Sequence, residues 1–416
     1  MNDNFEETVS QASREKTPEN YEGTVSVGVD LGTSTSKFCD GEKVLYFSSV
    51  AGDPLTDQLE SSWRRMNRSS DHRWIKNLAI WDEARKSWRY MGAMTRSSQR
   101  QQWFVEGGVL QNFDDAFLAL QAGLFLLGIE RGKTLGRVGL GFGIPIKAGE
   151  QVSERFLDQI HERVGLTDGK RVVKIRAKNV ATGEIKEDEI EMVFSLVQFQ
   201  AYGGYMVLLF SKFDLKLYST YVVDIGHGTW ISLPVVDNEA DIAIADSTPA
   251  GIHTITRNIG VALFEMSGQK VRIQEQRIME KVAAGLREIE VPGAGVFNFG
   301  AMLDAECESL SNDIMKKIRV DVAALGAKGV SIDYFAIVGG GANLVFDKVK
   351  KRITDFFQWS PTLADERIVG NEALGIDARY ANAAGLMFLA RDQIAIDLGK
   401  DVDTTLNLTA IVTDRA

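Results

Sequence analysis

The sequence has few of the residues that mark disulfide-stapled, metal-binding or nucleic-acid-coating proteins. Its two cysteines, Cys39 and Cys307, lack paired spacing, and its four histidines lack the spacing of metal ligands. We therefore expect neither a disulfide framework nor a zinc site, and a reducing cytoplasm as the location. A net charge of −10 argues against direct nucleic-acid binding, whose affinity depends on neutralising phosphates. The most apolar stretch, residues 116–129, is shorter than the roughly 20 residues of a spanning helix, so no transmembrane segment is expected.

The chain is long enough for two hydrophobic cores. It has 416 residues, of which 44% are hydrophobic and 25% charged, an ordinary composition for a globular protein. The polar, acidic residues 1–22 are predicted to be a disordered tail. We expect a first domain over 23–215 with an Arg-, Ser- and Trp-rich inserted subdomain at 51–103, a second over 216–379, and a helix returning to the first domain, followed by a C-terminal tail, over 380–416.

Two distant segments share one design, a hydrophobic strand that ends in an aspartate followed by a Gly- and hydroxyl-rich turn. The first, VGVDLGTSTSK, contains Asp30, and the second, YVVDIGHGT, contains Asp224. Glycine turns bring main-chain N–H groups close to a ligand, and such concavities suit phosphate oxygens. An aspartate at the rim suits Mg²⁺ and its waters. Two such turns predict two halves that grip one polyphosphate from opposite sides.

The rest of the chain alternates hairpin-like and helical patterns. Two rounds of strands followed by helices predict two related α/β domains. Strands are predicted at 25–29, 138–144, 172–177, 185–193, 222–223, 230–236, 241–245 and 335–338, and helices at 114–128, 151–164, 251–264, 270–285, 299–325, 346–357 and 378–389.

Several segments, in the same order along the chain, resemble the motifs of the actin and heat-shock-chaperone ATPase superfamily. The two aspartate turns resemble its phosphate loops, GFGIP its first strand-end motif, VQFQAYGG its first connecting helix, IVGGGAN its adenosine motif and ANAAG its second connecting helix. Within the superfamily the chain is most similar to the prokaryotic actins of the ParM and StbA type, with the magnetosome-type actin MamK also compatible. The resemblance implies an actin-like two-domain fold, each domain a mixed sheet flanked by helices, with the nucleotide in the interdomain cleft.

The resemblance also implies roles for individual residues. Asp30 and Asp224 are expected to hold Mg²⁺ through water and to act in catalysis together with Gln200, which would orient the attacking water; Gln198 is the competing register. ATP or ADP is the expected nucleotide, with GTP left open as an alternative. Arg272 and Gln276 are candidates for adenine contact, against the simpler reading of a solvated helix face. The remaining nucleotide-binding candidates are Gly32, Thr33, Ser34, Thr35, Lys37, Gly226, His227, Gly228, Thr229, Gly339, Gly340, Gly341 and Asn343.

Two positions depart from the pattern of the superfamily. Ile231 stands seven residues after Asp224, where many relatives carry an acid, and His227 replaces a usual glycine or acid. Either difference is expected to alter magnesium geometry or slow hydrolysis, unless His227 is simply a turn residue.

Three functions fit the superfamily: a polymerising actin-like ATPase, a peptide-binding chaperone and a small-molecule kinase. The chain offers about thirty residues after the second connecting helix, so no peptide-binding domain is expected there. The Gln200 region offers no acid to activate a kinase acceptor, with an acid from the Arg-rich insertion left as an alternative. The favoured hypothesis is a slow Mg²⁺-dependent ATPase that forms filaments with itself and is linked by an adaptor to plasmid DNA or an organelle. Trp63, Trp74 and Trp88 are candidate filament anchors, or core residues of the inserted subdomain.

Overall fold

A computed structural model shows how the two halves are built. The structure describes residues 21–66, 71–98, 100–106, 109–110, 112–144, 158–159, 162–163, 172–211, 215, 218–269, 272–291, 295–406 and 408–412. The predicted tail up to residue 20 and nearly all of the predicted helix 151–164 lie outside these residues. Tyr21, which we assigned to the tail, is buried, and its ring lies 5.6 Å from that of Phe194.

The first half of the described chain is organised on one mixed sheet of eleven strands. Their order is β21-β3-β2-β1-β10-β12-β11-β5-β6-β4-β7. The strands from the first half are β1 (Val25–Leu31), β2 (Thr35–Cys39), β3 (Lys43–Ser48), β4 (Val50–Gly52), β5 (Leu78–Asp82), β6 (Ser87–Met91), β7 (Gln101–Trp103), β10 (Arg137–Ile144), β11 (Val172–Asn179) and β12 (Ile185–Phe199). A separate pair comprises β8 (Val105–Glu106) and β9 (Val109–Leu110).

The second half carries a smaller sheet and a hairpin. The sheet has the order β15-β14-β13-β19-β20, with β16 paired to β14. The strands are β13 (Thr220–Ile225), β14 (Trp230–Val236), β15 (Glu239–Ala240), β16 (Asp246–Thr248), β19 (Tyr334–Val338) and β20 (Ile368–Val369), with β17 (Glu288–Val291) and β18 (Gly295–Asn298) forming the hairpin. The chain then returns, and β21 (Thr409–Val412) pairs parallel with β3 in the first sheet.

The two halves repeat one arrangement around their aspartate turns. In the first, β1 pairs antiparallel with β2 and parallel with β10; in the second, β13 pairs antiparallel with β14 and parallel with β19. The cross-strand partner of Asp30 is Lys37, and that of Asp224 is Ile231. Two large hydrophobic clusters accompany this repeat among the described residues: one joins the first sheet to one face of the second, and the other lies on the opposite face of the second sheet. This mixed α/β architecture confirms the predicted two-domain fold.

Helices cover the sheets, and two of them connect the halves. They are α1 (Asp57–Met66), α2 (Phe113–Arg131), α3 (Gln200–Ser211), α4 (Ile252–Met266), α5 (Glu275–Ala283), α6 (Gly300–Ala327), α7 (Phe346–Phe357), α8 (Pro361–Arg367) and α9 (Ala381–Leu398). The connecting helices α3 and α9 cross where Gly203 meets Gly385: a Cβ added to Gly385 would lie 1.7 Å from the Gly203 carbonyl oxygen. Only glycine permits so close an approach of two backbones.

Some predicted elements differ from the structure. Residues 241–245 form a turn instead of a strand. They connect β15 to β16, and both of these short strands pair antiparallel with β14. The helix predicted over 270–285 is shorter, Glu275–Ala283. The strands β4 to β7 of the predicted insertion continue the first sheet through β11 and β5. In the part of the chain that the structure describes, no helix is long and apolar enough to cross a bilayer.

The tryptophans of the 51–103 segment serve its packing. Trp74 is buried in the core of the first half, and Trp63 and Trp88 pack against a small buried cluster that contains Tyr90. Trp74 is therefore a core residue, whereas Trp63 and Trp88 are partly buried at the edge of the sheet, and their role as filament anchors stays a prediction. Trp103, on β7, is the more exposed ring, with 48% of its surface accessible.

Candidate functional site

The first glycine turn is held by its own strand ends. The Gly32 N–H donates to the Thr35 carbonyl at 3.1 Å, and the Ser49 hydroxyl donates to the Gly32 carbonyl at 2.6 Å. The Lys37 ammonium, opposite Asp30 in the register, donates to Asp30 Oδ2 at 2.7 Å. A buried carboxylate with its own cation thus stands at the base of the turn.

The second turn repeats the first hydrogen bond and adds a helix. The Gly226 N–H donates to the Thr229 carbonyl at 2.8 Å, the equivalent of the bond from Gly32 to Thr35. The first N–H groups of α4 and its N-cap donate to the carbonyls of Gly226, His227 and Gly228. These bonds fix the turn against the start of α4, and a glycine turn of this kind suits phosphate oxygens.

The two turns face each other across the halves. A Cβ added to Gly228 would lie 2.8 Å from Cγ2 of Thr33 on the first turn. A third glycine segment closes the same region, since a Cβ added to Gly339 would lie 2.2 Å from Asp224 Oδ1. The structure therefore brings the three predicted segments together. Close approach requires glycine at positions 228 and 339, and Gly339 also has a φ of +100°.

Burial of Asp224 is the main electrostatic feature of the site. Burial raises the pKa of the Asp224 carboxyl to about 6, against the effect of the Asn382 side chain, whose Nδ2 donates to Asp224 Oδ2 at 2.8 Å. Burial also disfavours the Lys37 ammonium, yet the neighbouring Asp30 carboxylate and its hydrogen bond raise the Lys37 pKa overall, with Asp224 adding to the effect. The Lys37 ammonium thus interacts with Asp30 of its own half and with Asp224 of the other half.

The donor set fits a magnesium ion. Asp30 Oδ1 is buried and has no hydrogen-bond partner among the described residues, so one carboxylate oxygen remains for a ligand or its water. Mg²⁺ takes one or two carboxylates and keeps several waters alongside substrate phosphates. Asp30 and Asp224 would hold it here, and its charge would offset the burial that raises the Asp224 pKa.

The position of Gln200 favours the predicted register. Gln200 is the first residue of α3, its side chain is buried, and its Nε2 donates to the Leu31 carbonyl at 3.0 Å, directly before the first turn. Gln198 lies on β12, and its Oε1 accepts the Phe199 N–H. Of the two glutamines, Gln200 is therefore the one that contacts the start of the first turn.

His227 lies on the second turn beside another histidine. Its ring centroid is 5.5 Å from that of His253 in the first turn of α4. Burial, and then His253, lowers the pKa of His227 to about 4, so the ring is neutral near pH 7. A neutral imidazole retains one N–H donor.

Asparagine side chains hold the glycine segment around Gly339, and only some of them were predicted from the sequence. Asn343 accepts at Oδ1 from Nδ2 of Asn371, which also donates to the Gly339 carbonyl. Asn371 and Asn382 were missed as site residues, although Asn382 lies within the ANAAG motif that flagged the helix. Arg272 is exposed, with its guanidinium carbon 5.4 Å from the centre of the Phe264 ring, but it precedes α5 and does not lie on the predicted helix face. The side chain of Gln276 lies outside the described residues.

Comparison with known proteins identifies the fold. No family model and no curated protein matches the chain. An archaeal actin homolog in complex with ADP superposes with a TM-score of 0.63 at 16% identity, covering 89% of this chain and all of the other. A 15-stranded ParM filament from Clostridium botulinum gives 0.62 at 14% identity, covering 89% and 99%. Bacillus thuringiensis ParM with ATP gives 0.55 at 13% identity, covering 89% and 98%. The chain therefore has the fold shared by actin homologs and ParM proteins.

Proposed function

We propose that this protein is a Mg²⁺-dependent ATPase whose nucleotide cycle drives its assembly into filaments. One observation carries the nucleotide part: two turns with the same internal hydrogen bond, each beside a buried aspartate, meet at Thr33 and Gly228. Such a pair suits a polyphosphate held from both sides. The solved structures that share the fold and contain ATP or ADP support the same ligand.

In this site the residues act mainly by positioning. The backbone of both turns, the hydroxyls of Thr33, Ser34, Thr35 and Thr229 and the Lys37 ammonium would bind the phosphates, while Asp30 and Asp224 would hold the ion. Bound Mg²⁺ would supply charge that stabilises the transferring phosphoryl group. Gln200, anchored to the Leu31 carbonyl, would orient the attacking water, since an amide is too weak a base to remove its proton. Slow, switch-like turnover follows from that role.

Filament formation is supported by the fold and by the ParM filament that shares it. A head-to-tail interface that does not close generates an open polymer. The proposed partners are other copies of this chain and an adaptor that links the filament to plasmid DNA or an organelle in the cytoplasm.

The test of assembly is pelleting and negative-stain electron microscopy with ATP and Mg²⁺, with ADP, and without nucleotide. Filaments are expected with ATP and Mg²⁺, and fewer or none with ADP after hydrolysis. A protein that stays monomeric at high concentration with every nucleotide, yet phosphorylates a small acceptor, would contradict the proposal in favour of a kinase.

A further inference from the structure

Helix α4 begins against the second turn, and a histidine in its first helical turn contacts His227 twice. The His253 backbone N–H donates to the His227 carbonyl at 2.7 Å, and the two rings lie 5.5 Å apart at an interplanar angle of 49°. The backbone bond fixes the start of α4, and the ring contact places the His253 side chain along the flank of His227.

A carboxylate from a different helix holds His253 in turn. Oε2 of Glu275, the first residue of α5, lies 2.8 Å from Nδ1 of His253, and these side chains are 40% and 43% exposed. A carboxylate at that distance accepts the Nδ1 proton and thereby orients the ring. Glu275, His253 and His227 form a row from α5 to the second turn, which we call the histidine row.

The inner end of this row lies where the two turns meet. Gly228, next to His227, is the residue whose added Cβ would collide with Thr33 of the opposite turn. A polyphosphate bound by both turns would place its outermost phosphate between them. His227 brings a ring nitrogen to a turn otherwise made of Gly226, Gly228 and Thr229.

We propose that His227 donates a hydrogen bond to the terminal phosphate of bound ATP and that His253 and Glu275 are positioning residues for it. The proposal rests on the proposed nucleotide site and deepens it. ADP lacks the phosphate that this donor would contact, so the histidine row selects ATP over ADP and links phosphate occupancy to helix α5. Assembly can respond to hydrolysis through that helix.

The test compares ATP and ADP affinities, each with Mg²⁺, for the full chain and for His227→Phe, His253→Leu and Glu275→Gln. Loss of one hydrogen bond to a charged group predicts about a tenfold weaker affinity for ATP, with ADP changed by about twofold or less. Glu265→Gln is the matched control, because it removes the same charge from the exposed far end of α4. Its ATP-to-ADP affinity ratio should equal that of the wild type.

A double variant distinguishes positioning from general damage. If Glu275 acts through His253, then Glu275→Gln combined with His253→Leu should weaken ATP no more than His253→Leu alone. Additive losses, equal losses for ATP and ADP, or a wild-type affinity ratio in Glu275→Gln would each overturn the histidine row. A wild-type protein that binds neither nucleotide would instead overturn the proposed function itself.

Discussion

The two halves differ in the group that stabilises their buried aspartate. Each places a buried aspartate at the end of its first strand, and each aspartate faces a residue seven positions later across an antiparallel hairpin. In the first half that residue is Lys37, which forms an ion pair with Asp30 at 2.7 Å. In the second half it is the buried Ile231, and Asp224 instead takes an amide donor from Asn382 on α9.

The difference explains why the pKa of Asp224 rises to about 6. An amide donor offsets less of the cost of burying a charge than an ammonium does. The first half therefore carries its own cation, whereas the second relies on a helix that returns to the first half. Under the proposed function, we expect the second half to be the side that responds to a bound cation.

Removing Asp224 should produce the largest effect and so test the difference between the halves most directly. Asp224→Ala is expected to weaken ATP binding about 100-fold with Mg²⁺, equivalent to ~2.7 kcal/mol, and far less in excess chelator. Titration with a fluorescent ATP analogue measures both. An unchanged magnesium dependence would remove Asp224 from the ion site. Asp246→Ala, an acid of the same sheet away from the turn, provides the control.

Substitution of Gln200 tests whether a residue next to the first turn orients the water for ATP hydrolysis. Gln200→Ala should retain ATP affinity and lose phosphate release by on the order of 100-fold, because the attacking water loses its orientation. Gln198→Ala, two residues earlier on β12, should have a much smaller effect. The reverse order of effects in a phosphate-release assay would show that the register is off by two residues.

Lys37→Met makes the first half resemble the second. The apolar side chain is close to lysine in length but leaves Asp30 without its ion-pair partner. Because a phosphate-binding charge is also lost, ATP affinity should fall about tenfold. Lys43→Met, on the next strand of the same sheet, should change affinity little. Equal effects of the two substitutions would mean that only overall charge matters.

The smallest expected effect is a change in the pH dependence of the melting temperature of the nucleotide-free protein. Because the pKa of Asp224 is raised in the folded protein, its contribution to the free energy of unfolding is greatest below about pH 4 and is lost as the pH rises through about 6. The lowered pKa of His227 has the opposite sign: its contribution is complete above pH 6.5 and is lost as the pH falls toward about 4. The two trends oppose each other in the wild type.

Single substitutions should separate these trends. As the pH falls from 7 to 4.5, the melting temperature of Asp224→Asn should fall relative to that of the wild type. The melting temperature of His227→Gln should rise relative to that of the wild type, and each change should be about 5 °C or less. Scanning fluorimetry without nucleotide measures both difference curves. Parallel curves for the two variants would contradict the assigned burial of one of these groups.

The sequence by itself determined the repeated turns and the boundaries of the strongly patterned elements. The Asp30 and Asp224 turns, the helix α7 at Phe346–Phe357 and the paired hairpins follow from local chemistry, because glycine conformations and apolar periodicity act over a few residues. The actin-like fold followed from the order of those local motifs along the chain.

Tertiary structure alone decided which groups meet. Asn382 reaches Asp224 across 158 positions, Gln200 reaches Leu31 across 169, and Glu275 joins His253 from a different helix. No local pattern encodes such pairs, since they depend on how α3 and α9 cross at Gly203 and Gly385 and on where α4 and α5 begin. The same holds for the tryptophans of the 51–103 segment. Sequence alone does not say whether such a ring faces a partner or a core, and only the packing of the sheet edge buries Trp74 and partly buries Trp63 and Trp88.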